Sequence, residues 1–167
     1  MDILAHGLWS GAIYSRKRVW RAVFFGVAPD LFSFGILFAS NVLKDGFSSL
    51  MHRSGPPPIE TIPVYVFGLY SATHSLVVWA FIFLVVALYL RKIPWEFSAW
   101  GLHILTDIPT HTTRFFPTPF LWPLQQPVFI DGISWGTPWF FLLTYLSIFL
   151  AFLGIYLQRR KKSRAPL

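Results

Sequence analysis

The chain has 167 residues, 54% of them hydrophobic and only 13% charged, with no cysteine, a net charge of +7 and a mean hydropathy of +0.54. Soluble domains carry roughly a quarter charged residues, so the composition excludes an ordinary soluble globule and points to helices in lipid. The missing thiols exclude disulfides, thiolate zinc sites and a cysteine nucleophile, and the positive charge lies beside apolar runs, where it marks topology rather than nucleic-acid binding.

In chain order, residues 2–15 predict a half-length helix. Asp2, His6 and Ser10 recur there at i, i+4 and i+8, on one face. No basic stretch precedes an apolar core, so no cleavable signal peptide is expected. The run from about 22 to 43 holds one charge, Asp30, directly after Pro29. It predicts a span kinked or broken at that proline. From 64 to 90 there is no Asp, Glu, Lys or Arg, and His74 lies inside the run; this predicts the clearest membrane span, since about 20 apolar residues suffice. A shorter run, 97–111, is interrupted by Pro109 and predicts a short span ending in protein-lined backbone. The last span, 137–158, opens at Pro138, a favourable helix start. Residues 159–167 form a basic tail, and the Pro-rich loops at about 44–62 and 112–136 do not read as helical. The fold expected is therefore one all-α integral membrane domain of four transmembrane helices plus the half-length N-terminal helix.

Basic residues orient it. Arg16, Lys17, Arg18 and Arg21 precede the first span, Arg91 and Lys92 follow the second, and Arg159, Arg160, Lys161, Lys162 and Arg164 follow the last. With four spans all of these share one side, leaving Lys44, Arg53 and Arg114 on the other. The positive-inside rule then puts the C-terminus in the cytoplasm and the two long loops outside.

Six ionisable residues lie in or beside the apolar segments: His6, Asp30, His74, His103, Asp107 and His111. A charged side chain at mid-bilayer costs about 2.5–3.5 kcal/mol on insertion scales, so each is a functional candidate. His103, Asp107 and His111 are spaced to share a helix face. Counted from the cytoplasmic basic residues at about 1.5 Å per residue, the six fall in a band from the midplane to the outer leaflet. Imidazole with carboxylate suits a divalent metal, Zn²⁺ best, with Mn²⁺ or Fe²⁺ as alternatives. The expected ligands are His6, Asp30, His74, His103 and Asp107. The expected catalytic groups are Asp30, Asp107 and His111, the carboxylate that holds the metal less tightly taking the proton from water. Hydrogen bonding between helices is the simpler reading of any one of these histidines. Arg114 fits either a phosphate clamp or an interfacial anchor, Trp122 and Trp135 fit the aromatic belt, and Asp131-Gly132 fits a turn.

His6-Gly7, Pro29-Asp30, Thr73-His74-Ser75, His103 with Asp107, Thr110-His111 and Phe120-Leu121-Trp122-Pro123 follow one another in an order that resembles the YdjM-type membrane-bound metal-dependent hydrolases. The resemblance reaches to about residue 125 and implies a distant likeness to the helical zinc-dependent bacterial phospholipases C. It implies an all-helical metal site acting on phosphoesters in a bacterial or archaeal cell membrane. Two places depart from the pattern. Leu31 and Phe32 stand where a second acid often follows Pro-Asp, and Leu69 and Tyr70 stand where His-Arg often precedes Thr-His. His52-Arg53, in an outer loop, could substitute for that pair. The function expected is hydrolysis of a lipid phosphoester or related ester near the outer leaflet, with membrane lipid or an amphiphile as partner and no nucleic acid. The rivals are a metal or proton transporter and a non-catalytic scaffold with a structural metal.

Overall fold

The computed structural model describes residues 1–14, 18–46, 57–124 and 129–164. Arg16, Lys17, the His52-Arg53 pair and the last three residues of the tail lie outside the described residues. All regular structure among those described is helical. Seven helices run α1 (Ile3–Ile13), α2 (Val19–Asp30), α3 (Ile36–Asp45), α4 (Val64–Thr73), α5 (Leu76–Leu90), α6 (Ser98–Asp107) and α7 (Pro138–Arg164), with single 3-10 turns at Ile59–Thr61 and Trp95–Phe97.

The half-length helix is present as α1. Asp2 caps it by accepting the Ala5 N–H at 3.0 Å, and the hydroxyl of Tyr145 on α7 donates to the same carboxylate at 2.9 Å. Small residues let α1 lie close on α2: a Cβ on Gly7 would sit 3.1 Å from Val27, and one on Gly26 would overlap the Ser10 side chain. Such small-residue seams are how helices approach in lipid, where apolar contact alone gives no drive to associate. On its other side α1 meets α7 through Met1, Ala5, Trp9 and Ile148.

α2 and α3 form one 27-residue helix, Val19–Asp45. Pro29 does not break it. The proline has no N–H to give, and the helix widens instead into a π turn over Leu31–Gly35. The Ser33 hydroxyl donates to the Pro29 carbonyl at 2.8 Å, which replaces a lost backbone partner inside the turn. π turns of this kind concentrate at functional sites.

The expected span over 64–90 is built from two helices, bent by 57° at His74-Ser75. The reason is local. Ser75 takes extended backbone angles and its Oγ accepts the Val77 and Val78 N–H groups, each at 3.2 Å. Ser75 also donates to the Trp122 carbonyl, and the Leu76 N–H reaches the Phe120 carbonyl at 3.0 Å. Ser75 Oγ and a distant loop thus satisfy the amides that a continuous helix would have used internally.

α2–α3 and Pro138–Ser163 of α7 are long and apolar enough to cross a membrane, and α4 with α5 makes a third span if the bent pair is counted as one. The expected span over 97–111 is only the ten residues of α6, about 15 Å of helix against a hydrocarbon core of about 30 Å. α6 is therefore an internal helix. Gly101 passes so close to Trp79 that a Cβ would fall 2.6 Å from the indole. Beyond α6, the Gly132, Ile133 and Trp135 N–H groups bond to the carbonyls of His111, Pro109 and Thr110, at 2.8, 2.9 and 3.1 Å. The outer surface is apolar. Leu43, Val64, Tyr89, Leu142 and Phe149 are among many large exposed side chains, a pattern that suits lipid contact and no soluble monomer.

Candidate metal centre

Five elements deliver the six ionisable residues to one place. His6 comes from α1, Asp30 from the end of α2, His74 from the α4–α5 bend, His103 and Asp107 from α6, and His111 from the turn after it. His6, His74, His103 and Asp107 are buried. Asp107 is the hub. Its Oδ2 lies 3.1 Å from His103 Nε2 and 3.6 Å from His74 Nε2, and those two nitrogens are 3.2 Å apart. Its Oδ1 faces His6 Nε2 at 2.9 Å and His111 Nε2 at 3.7 Å, and touches the Met1 amino group, which also donates to Thr110 Oγ1 at 2.9 Å.

Backbone carbonyls decide how the rings face. His103 Nδ1 is 2.7 Å from the Gly26 carbonyl, His74 Nδ1 is 3.2 Å from the Tyr70 carbonyl, and His111 Nδ1 is 2.9 Å from the Phe116 carbonyl. A carbonyl can only accept, so the Nδ1 of His103 and of His111 donates a proton to it, while His74 Nδ1 lies nearer to the Thr73 hydroxyl, at 3.0 Å. With the rings neutral and the proton on Nδ1, each Nε2 presents a lone pair toward Asp107. Two nitrogen lone pairs 3.2 Å apart, with a carboxylate oxygen at 3.1 and 3.6 Å, repel one another. That Oδ2 is buried and makes no hydrogen bond among the described residues. The Met1 amino group offsets the charge at Oδ1, and a divalent cation between Oδ2 and the two Nε2 atoms would satisfy the rest of the set.

The spacing fits one. Tetrahedral ligands at about 2.0–2.2 Å from a zinc-like ion lie about 3.3–3.6 Å from each other. Among His74, His103 and Asp107 the separations of 3.1 and 3.2 Å fall just short of that range and the third, 3.6 Å, reaches its upper end, and the three residues form a group that could hold a metal ion. A carbonyl accepting from the ring nitrogen that faces away from the metal is the usual support of metal-binding histidines.

Asp30 stands beside this trio, its Oδ1 3.5 Å from His74 Nε2 and 3.9 Å from His103 Nε2. Its side chain is 16% exposed, against 1% or less for His74, His103 and Asp107. His6, Asp30 and His103 form a second group of ligand atoms. The two groups share His103, whose Nδ1 is committed to Gly26, so its Nε2 can serve only one of them at a time. His6 stacks on His103 with ring centroids 3.5 Å apart. His111 falls in neither group.

Tyr70 is the residue that composition and spacing did not single out as a site residue. Its ring stacks on His74 at 3.9 Å, and its hydroxyl is 3.0 Å from His111 Nδ1 and donates to the Phe116 carbonyl at 2.9 Å. The available signal was its position four residues before His74 on the same helix face. Gly26 and Phe116 act through backbone carbonyls, which leave no side-chain signature. In the loop above, Asp131 accepts the Thr113 N–H at 2.8 Å and the Thr113 hydroxyl at 3.0 Å. These bonds, with a lesser contribution from Arg114, hold the Asp131 carboxyl below the usual carboxylate range.

No family model, curated protein or solved structure matches the chain.

Proposed function

We propose that the chain is a membrane-embedded, metal-dependent hydrolase acting on the phosphoester, or a related ester, of an amphiphile near the outer leaflet. The observation that carries the reading is the trio His74, His103 and Asp107, with a buried Oδ2 that makes no hydrogen bond among the described residues and two imidazole Nε2 atoms facing it. Three protein ligands are the number that catalytic zinc sites use, whereas structural sites close with four. This favours an enzyme over a scaffold. A compact cluster, rather than a chain of ionisable groups along the membrane normal, supports hydrolysis over transport. The resemblance to the YdjM-type hydrolases points the same way.

His74, His103 and Asp107 would hold a divalent cation, Zn²⁺ by ligand chemistry, which when bound would polarise a phosphoryl oxygen and acidify water. The remaining work falls to side chains. Asp30, the most exposed of the carboxylates, is placed to take the proton from the attacking water. His111, with Nδ1 tied to Phe116, offers Nε2 for proton transfer to or from the leaving oxygen. Asp107, held by His6 at Oδ1, keeps Oδ2 turned toward the histidines. Metal-loaded protein reconstituted with labelled phospholipids and isoprenoid phosphates tests the reading, beside His74→Ala and Asp107→Ala. Turnover lost in both variants is expected. Turnover surviving both would belong to a contaminant, and none across the panel in a metal-retaining protein would favour the scaffold.

A further inference from the structure

Beside Tyr70 lies a cavity of about 200 Å³. Phe67, Phe116 and Trp122 form its apolar walls, with Ser71, Thr113 and Arg114 as its polar lining. Phe67 and Phe116 stack in parallel with centroids 4.9 Å apart. Arg114 makes no hydrogen bond or ion pair among the described residues. The nearby acid, Asp131, is instead occupied by the two donors of Thr113, which pins the Thr113-Arg114 turn at the cavity.

We propose that this cavity is an anion-anchoring subsite for a single-chain amphiphile, with a phosphate on Arg114 and the adjoining carbons along Phe67, Phe116 and Trp122. Charge complementarity selects the anion, because a guanidinium with no hydrogen-bond partner among the described residues can bind phosphate with two parallel N–H groups. The apolar walls select an attached chain over free phosphate, which would have to shed water against surfaces that offer nothing in return. The volume corresponds to roughly six or seven waters at about 30 Å³ each. That is too small for a whole phospholipid and suits one head group with the start of its chain. Tyr70 is the common wall, lining the cavity while stacking on His74 and contacting His111. Only the link to turnover rests on the hydrolase reading; binding itself needs no metal.

The test is titration calorimetry on the full chain in a neutral detergent, with metal removed by chelator and again with zinc restored. Hexadecyl phosphate is the probe; inorganic phosphate, hexadecanol and hexadecyltrimethylammonium are the comparisons. Hexadecyl phosphate should bind in both metal states. Arg114→Gln should weaken it tenfold or more, Arg114→Lys less, and Ser71→Phe should weaken it by filling the cavity while leaving the thermal transition in place. Equal binding of all the amphiphiles, inorganic phosphate binding as tightly as its alkyl ester, or an unchanged affinity in Arg114→Gln would each overturn the proposal. Binding that survives these tests without turnover in the zinc-loaded protein would sink the hydrolase reading and leave the subsite standing. Turnover with an unchanged KM in Arg114→Gln would sink the subsite alone.

Discussion

Gly26→Ala should damage the metal centre without touching any ligand. The new Cβ would overlap the Ser10 hydroxyl, and would come within 2.8 Å of Ser10 Cβ and 3.2 Å of the His6 carbonyl oxygen. Ordinary contacts begin near 3.4 Å, so α1 and α2 must separate by about 0.6 Å at Ser10 alone. Overpacking of this kind costs about 1–3 kcal/mol. The same residue's carbonyl holds His103 Nδ1 at 2.7 Å, and loss of a second-shell partner lowers metal affinity about 10–100-fold. The substitution should therefore lower the thermal transition and weaken zinc binding together. Ser10→Gly removes the worst overlap, so the double variant should recover most of both losses, giving a coupling energy of about 1–2 kcal/mol in a double-mutant cycle. Zinc competition with a chromophoric chelator and thermal unfolding in detergent would measure it. Gly26→Ala with wild-type affinity and stability, or a double variant no better than the single, would refute the close-approach argument.

Ser75→Ala removes the cap of α5 and the bond to the Trp122 carbonyl, and should cost about 1–2 kcal/mol of stability, read from thermal melts; an unchanged transition would mean the bend does not depend on this cap. The Asp131 clamp on Thr113 should respond to acid in one direction. Its carboxyl is held low, so the contribution is complete above the ordinary carboxylate pKa of about 3.9 and is lost as pH falls through the lower folded value. Exchange protection of the Thr113 amide should accordingly persist at pH 5 and collapse only in stronger acid, and protection lost above pH 5 would contradict the clamp. A reporter fused after Leu167 should be active on the cytoplasmic side, where the positive-inside rule puts the basic residues that directly follow α7; activity confined to the outer side would reverse that orientation of α7.

Much of the centre was legible because burial in lipid makes each ionisable residue conspicuous. His6, Asp30, His74, His103, Asp107 and His111 stood out against apolar runs, and all six meet at one point. The bend at His74-Ser75 was not legible, because its stability comes from loop carbonyls some 45 residues away. The tolerance of Pro29 was hidden for a similar reason: the π turn and the Ser33 hydroxyl repair the helix after the fact. The short α6 reads like a span because an internal helix packed by membrane helices is as apolar as one facing lipid. Tyr70 was passed over because an aromatic in an apolar run looks like packing until its hydroxyl has an address.

The central claim is that His74, His103 and Asp107 hold one divalent cation. Elemental analysis of the purified full chain, joined to X-ray absorption at the metal edge, tests it most directly. The account predicts about one metal per chain with imidazole and carboxylate neighbours at about 2.0–2.2 Å, lost in His103→Ala and retained in His52→Ala. Equal metal content in those two variants, or a wild-type protein free of metal after zinc loading and gel filtration, would contradict it.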